Sequence, residues 1–421
     1  MPHSAEPLSR PLSEKPHKSH SKTPFIEYVA LMASLMALVA LSTDAMLPAL
    51  NNIGIELKVM RENDVQMIVS LLFLGMAIGQ MFLGPLSDTI GRKPTLCGGL
   101  ALFITGSVLS LIADSFNVML VGRFIQGLGV AGPRSVSVAM IRDQYEGRPM
   151  ARVMSLVMTV FILVPVIAPA LGQGILMVAH WRMIFAVFVL LAAAMFLWFV
   201  IRQPETLAPN DRTAFSGSRL WDVIREICTN RIAFGYTMVA GLISGAFLGF
   251  LSSASQIFQQ QYGLGDQFPI YFAILALASG TASFVNSGLV MRYGMHTLIN
   301  RAMRSLAVSS IAFLAFAYSQ SGTPALWTTM AYFLVAFFAV GILFGNLNAL
   351  AMEPLGHVAG VGSAIVGSLS TLVAVPLSMV IGLSYDGTVL PLVGGYAILS
   401  ACSLVIIRWA GDNSETIACP D

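Results

Sequence analysis

Two ionisable side chains, Asp44 and Arg123, fall inside long apolar stretches, ALVALSTDAMLPAL and MLVGRFIQGLGVAGPR. An aspartate at the centre of a membrane helix costs about 2.5–3.5 kcal/mol on insertion scales, and less towards the interface. A group that carries this cost is a functional candidate by default. The cheapest way to hold either charge is an Asp44–Arg123 pair, or a network that includes Gln126. Such a pair is a proton-operated switch. Protonating Asp44 would release Arg123 and weaken the hold on a cationic substrate, and deprotonation would restore the negative site. Proton coupling is therefore expected at Asp44 and Arg123. Glu27, near the start of the first apolar stretch, reads instead as a helix-start acid that reaches the headgroups.

These residues need elements to hold them, and composition names the kind. The chain has 421 residues, 56% of them hydrophobic, a mean hydropathy of +0.77 and only 10% charged side chains. A soluble domain is about 25% charged, so soluble enzymes and free nucleic-acid binders are excluded. A bilayer core asks for roughly 20 apolar residues per helix. Spans are expected near 25–47, 64–85, 94–113, 116–139, 150–175, 181–201, 231–257, 268–290, 299–318, 325–350, 358–383 and 389–409. This predicts an all-α membrane protein of twelve transmembrane helices in two six-helix bundles, 25–201 and 231–410. A charged linker at 202–230 joins them, with a disordered tail over 1–24 and a second tail over 411–421.

Basic residues set the orientation. With the N-terminus inside, eighteen Lys and Arg fall on the inner side and three, Lys58, Arg61 and Arg182, on the outer. Both termini and the linker are thereby expected in the cytoplasm. No cofactor or metal is expected: Cys97, Cys228, Cys402 and Cys419 lack ligand spacing, and His3, His17 and His20 lack an acidic or cysteine partner. No span or joint shows a nucleophile–base pairing or a nucleotide loop, so the chain does not read as an enzyme.

Spans 7–12 hold no acid at their centres, so the second bundle is expected to supply shape and apolar contact. Candidate substrate-binding residues are Tyr28, Met36, Gln126, Tyr236, Met238, Phe250, Gln256, Phe344, Asn346 and Asn348. Soft and aromatic side chains suit varied apolar guests, although the same residues fill cores. Pro165, Pro169 and Gly172 mark the fifth span as a helix that bends. The joint GPLSDTIGRKP offers Gly84, Asp88, Gly91, Arg92 and Lys93, and the later joint RDQYEGRPMAR a complementary mix of charge that begins with Arg142. With Arg134 of the fourth span, these residues are expected to form a latch and gate.

These motifs resemble the major facilitator superfamily, and within it the bicyclomycin/chloramphenicol-resistance type of drug–proton antiporter. Gly84, Asp88, Gly91, Arg92 and Lys93 match its loop between helices 2 and 3; Arg123, Gln126, Gly127 and Gly129 match its helix 4. Asp44, Leu47, Pro48 and Ala49 resemble the branch's helix-1 stretch, with Met46 in place of the usual tyrosine. HWRMIF at 180–185, PETL at 204–207, FQQQYGL at 258–264 and AGVGSAIVGSL at 359–369 carry the likeness over about residues 25–410. It implies the major facilitator fold and proton-coupled export of small drugs or metabolites across a bacterial inner membrane by alternating access. The implied partners are a small-molecule substrate, protons and membrane lipid, with no nucleic acid, and one chain suffices as a monomer. In the fifth helix, Val164 and Gln173 stand where glycines are usual, so that helix alone does not fix the direction. A proton-coupled importer and a non-transporting scaffold or receptor remain alternatives.

Overall fold

The structure is a computed structural model that describes residues 23–411. The expected tails, with His3, His17, His20 and Cys419, lie outside the described residues apart from Thr23, Pro24 and Gly411.

The first half forms α1 (Phe25–Asp44), the short α2 (Leu50–Glu56), α3 (Met67–Ile90), α4 (Arg92–Leu111), α5 (Phe116–Gln144), α6 (Gly147–Val178) and α7 (Arg182–Arg202). The linker contains α8 (Gly217–Thr229). The second half forms α9 (Arg231–Ser255), α10 (Phe268–Tyr293), α11 (Met295–Ser319), α12 (Leu326–Met352), α13 (Ala359–Leu383) and α14 (Leu390–Gly411).

Among the described residues, twelve helices have 20 residues or more, and eleven spans are long and apolar enough to cross a membrane. The helix outside that set is α5, whose 29 residues include Arg123, Gln126 and Arg134. It nevertheless packs along both α3 and α4. The chain is a multi-pass, all-α membrane protein.

Boundaries follow local chemistry. Ser115 caps α5 and Asn230 caps α9, where the Asn230 Oδ1 accepts from the Ile232 and Ala233 amides at 3.0 Å each. Gly91, at φ +111°, separates α3 from α4, and Gly294, at φ +76°, separates α10 from α11. Two elements were not expected from the sequence. The linker helix α8 buries Leu220, Val223 and Ile227, spaced for one helical face, and packs on α9 and α13. At the opposite end α2 follows the Leu47–Ala49 turn. Despite Pro165 and Pro169, α6 continues through 32 residues.

Helices α1–α7 pack chiefly on one another, as do α9–α14, and the pairing repeats. α5 lies against α3 and α4 as α12 lies against α10 and α11. α1 takes α6 and α7 as α9 takes α13 and α14, while α4–α7 corresponds to α11–α14. The two sets meet along α3–α13 and α6–α10. One end of the molecule carries the linker; the other carries α2 and the residues that follow α9. They are called here the linker end and the far end.

In the first half α3 lies close against α5. A Cβ on Gly127 would run into the Leu72 carbonyl, and one on Gly75 into that of Phe124. In both cases the obstacle is backbone, which cannot swing aside as a side chain can. Gly127→Val is expected to destabilise the protein by about 1–3 kcal/mol, the range for overpacking a tight interior. Thermal unfolding of the detergent-purified protein measures it.

Candidate functional site

Arg123 is fully buried at the far-end half of α5, so its donors must find acceptors inside the protein. Its Nε donates to the Ile68 carbonyl of α3 at 3.1 Å, and its Nη1 donates to the Ser42 carbonyl of α1 at 3.1 Å. Nη1 also donates to Gln126 Oε1 at 2.5 Å, and Gln126 Nε2 donates to Ser107 Oγ of α4 at 2.8 Å. The guanidinium stands 5.9 Å from the centre of the Phe185 ring of α7. Four helices thus converge on α5 at one charge. The Nη2 atom is buried with no hydrogen-bond partner among the described residues.

Asp44 closes α1 two residues beyond that Ser42 carbonyl and is only 4% exposed. The expected Asp44–Arg123 ion pair is not formed; among the described residues the Asp44 carboxyl has neither an ion pair nor a hydrogen bond. Sequence spacing put the two residues at similar depth but could not set their azimuth, and backbone carbonyls take Arg123 instead. Beside Asp44, Ala45 presses on Gly172 of α6, where a Cβ would strike the Ala45 carbonyl.

The far end is closed chiefly by neutral groups; among the described residues the charged exception is Asp266 Oδ1, which accepts from Gln173 Nε2 at 2.6 Å. Gln66 Nε2 of the first half donates to Gln256 Oε1 of the second. Gln256 Nε2 donates to Asn63 Oδ1 at 3.1 Å, and Asn63 Nδ2 donates to the Leu383 and Tyr385 carbonyls at 3.1 and 2.7 Å. Tyr385 Oη donates to the Gln256 carbonyl at 3.4 Å. Burial pushes the Tyr385 hydroxyl up to about 12, so it remains a donor at neutral pH. Among the described residues, the hydrogen bonds that join α1–α7 to α9–α14 lie at this end, except Ser368 Oγ to the Ala77 carbonyl, midway along α3.

The linker end of the first half carries a charged belt. Arg92 pairs with Asp88 and, at 2.9 Å, with Asp143 of α5, and also donates to Ser87. Glu205, just after α7, accepts from the backbone amides of Arg92, Lys93, Thr206 and Leu207 at 2.9–3.1 Å. Lys93 Nζ donates to the Val200 carbonyl at 2.8 Å. At Gly91 a Cβ would meet the Glu205 carboxylate. Glu27 is also engaged here rather than solvated: Arg202 grips it with two bonds of 2.6 Å, and Trp198 adds a third at 3.1 Å.

The latch expected from the sequence is therefore corrected in part. Asp88, Gly91, Arg92 and Lys93 belong to the belt, whereas Arg134 and Arg142 are exposed and form no ion pair among the described residues. Arg134 lies eleven residues beyond Arg123 on the same face of α5, about three turns towards the linker end. Gly84 belongs to the α3–α13 seam, opposite Ala364. The Arg92–Asp143 pair joins the two joints that the sequence sets against each other, whereas nothing local in the sequence announces Glu205, 113 residues from Arg92.

The expected substrate residues also scatter. Phe250 is wholly buried among Phe258, Phe272, Phe333 and Phe337 as core, and Gln256 belongs to the far-end closure. Tyr28 is buried against Tyr145, Met36 is buried, and Tyr236 meets His296 at 3.2 Å. Asn346 donates to Asn286 at 2.8 Å. Met238 and Phe344 are half-buried and Asn348 is exposed. On α1 the open or partly open positions Ala30, Ser34 and Ala37, with Leu41 beyond them, make one face of mostly small residues, which in sequence looks like ordinary helix packing.

The family model described as Major Facilitator Superfamily matches residues 29–379. The bicyclomycin resistance protein homolog of Haemophilus influenzae is 29% identical over 380 residues, covering 87% of this chain and 92% of that protein. The multidrug resistance protein MdtL of Escherichia coli is 27% identical over 355 residues, covering 82% and 85% respectively. Among solved structures, a D-xylose-proton symporter superposes with a TM-score of 0.74 at 14% identity, covering 91% of this chain and 97% of that one. That likeness concerns the fold.

Two expectations follow from the geometry. Glu205→Ala strands four amides, so a loss of about 1.5–3 kcal/mol is expected, with faster hydrogen exchange at 92–93 and 206–207. Gln256, just beyond α9, bonds Asn63 and Gln66, with Ser253 Oγ on Gln66 beside it at 3.4 Å. In an Asn63→Cys background, where the Asn63 bonds are already gone, Gln256→Ala removes the Gln66 bond. Cys labelling at that site by a membrane-impermeant maleimide is then expected to run about fivefold faster, the equivalent of one net hydrogen bond.

Proposed function

We propose, for a chain that belongs to the major facilitator superfamily, that it exports small amphiphilic drugs or metabolites across a bacterial inner membrane in exchange for protons. Membership makes it a secondary-active transporter of small molecules and not an enzyme. The relatives named for bicyclomycin and multidrug resistance support the choice of cargo. The observation that carries the coupling is Asp44: a buried carboxyl without a fixed partner, two residues beyond a carbonyl that holds Arg123.

In this reading residues 25–201 and 231–410 act as two bundles and 202–230 as their tether, with one chain as the working unit. The linker end faces the cytoplasm, supported by its many basic residues and by only Lys58, Arg61 and Arg182 at the far end. The closed far end then corresponds to an inward-facing state. Substrate enters between the bundles from the linker end, past Arg134 on α5 and the small-residue face of α1, with Met238, Phe344 and Asn348 on the opposite wall. Opening the far end requires the Asn63, Gln66, Gln256 and Tyr385 contacts to separate. Substrate leaves outward, a proton occupies Asp44, and the inward return delivers it. Each proton moved inward draws about 2.3 kcal/mol from a 100 mV potential. Arg123 positions the end of α1 through Ser42 and keeps the local field positive when Asp44 is neutral.

Everted vesicles and proteoliposomes test the reading. Wild-type protein is expected to accumulate a cationic dye in everted vesicles when their interior is acid, and Asp44→Asn to lose that accumulation while still exchanging dye for dye. Undiminished proton-driven transport by Asp44→Asn would remove Asp44 from the coupling step. Accumulation only in right-side-out vesicles would assign import instead.

A further inference from the structure

A groove of about 530 Å³ lies on the outer side of the second half, with α12 as its floor and α10 and α11 as its walls. It exists because α10 and α11 both pack on α12 but touch each other little, and because Ala278, Ala302 and Ala339 leave room where larger side chains would close it. Its lining includes exposed Phe338 and is apolar but for Arg301 and Ser305, near the linker end of α11.

The charge around that end is one-sided. Arg292 and Arg301 stand 5.3 and 5.4 Å from the same Tyr293 ring, and Arg304 follows one turn later. None of the three forms an ion pair among the described residues. Two guanidiniums on one ring repel each other unless an anion lies near. Depth fits a lipid as well. The 25 residues of α11 span about 37 Å against a hydrocarbon core of about 30 Å, so Arg301, seven residues in, reaches the headgroup level.

We propose that this groove binds one anionic phospholipid of the leaflet at the linker end. Its phosphate takes Arg301, with Arg292 and Arg304 at the rim, and an acyl chain lies over Ala302, Ser305 and Ala339. The phosphate needs cations at headgroup depth, the chain needs an apolar trough that begins there, and the groove provides both in register.

The test uses full-length protein in mixed micelles of phosphatidylglycerol or phosphatidylcholine, read by the thermal unfolding midpoint against lipid concentration. Phosphatidylglycerol is expected to raise the midpoint at lower concentration than phosphatidylcholine. Arg301→Ala should weaken that apparent affinity about fivefold, while Arg301→Lys keeps most of it and Arg148→Ala, elsewhere at the linker end, keeps all of it. Ala339→Phe, which fills the trough and leaves every arginine in place, should abolish the preference; it carries the test should Arg301→Ala fail to fold. Equal responses to the two lipids, or an unchanged response in Ala339→Phe, would overturn the proposal. A shift reproduced by inorganic phosphate alone would overturn it in favour of a free-anion site.

Discussion

A guanidinium buried at bilayer depth has no water to fall back on, and the first half of this protein is arranged around meeting that demand. Arg123 reaches Ile68 only because α3 lies almost against the backbone of α5, and that approach exists because position 127, one turn on, has no side chain. Gly127 faces Leu72, itself one turn beyond Ile68. The glycine and the arginine are therefore one device: the first brings the helices together and the second uses the carbonyl brought within reach. α1 is fixed to the same point through Ser42, and α4 through Gln126 and Ser107. Removing the charge would release four helices from a shared constraint.

Contacts inside the first half and contacts between the halves use different interactions, and the difference suits the alternating access proposed above. The belt at the linker end joins α3, α4, α5 and the chain just after α7, all within the first half, through ion pairs and a carboxylate that collects four amides. Charge-assisted bonds of this kind are about twice as strong as neutral ones. Apart from Gln173 to Asp266, the far-end contacts that cross between the halves are made by neutral Asn, Gln and Ser side chains. Each contributes only about 1 kcal/mol net, because water replaces it when the contact separates. Strong bonds hold together what moves as a body, and weak ones close what has to open.

The sequence disclosed depth along a helix but not direction around its axis. The multi-pass all-α architecture and the belt residues Asp88, Gly91, Arg92 and Lys93 could be read from apolar run lengths and from the sign of the charge in short joints. Glu205 could not, since its role rests on a contact 113 residues away. Phe250 could not be told from a pocket residue, because an aromatic ring on a membrane helix looks the same in sequence whether it meets substrate or four other phenylalanines. α8 escaped because its apolar face is only three residues within a charged segment. The Asp44–Arg123 pair failed for the same reason as Phe250: equal depth is necessary for contact and says nothing of azimuth.

The absence of that pair favours Asp44 as a group that changes state. Breaking a buried ion pair by removing one partner costs about 3–5 kcal/mol, because the remaining charge is stranded. Had Arg123 been held by Asp44, each protonation would have stranded the guanidinium and loosened the bundle around it. In the observed arrangement, neutral acceptors on α1, α3 and α5 itself secure Arg123 whatever proton Asp44 carries. Among the described residues, Arg123 still keeps one buried nitrogen, Nη2, without a partner, and the Asp44 carboxyl has none either. A donor and an acceptor left over on adjoining ground can be joined by a modest shift of the end of α1, where Gly172 lets the chain lie close on α6. Loss of a proton from Asp44 would favour such a shift and gain of a proton would reverse it, with the arginine's other bonds intact throughout. The proposed coupling would then need movement of one helix end only and leave the architecture that buries the charge undisturbed.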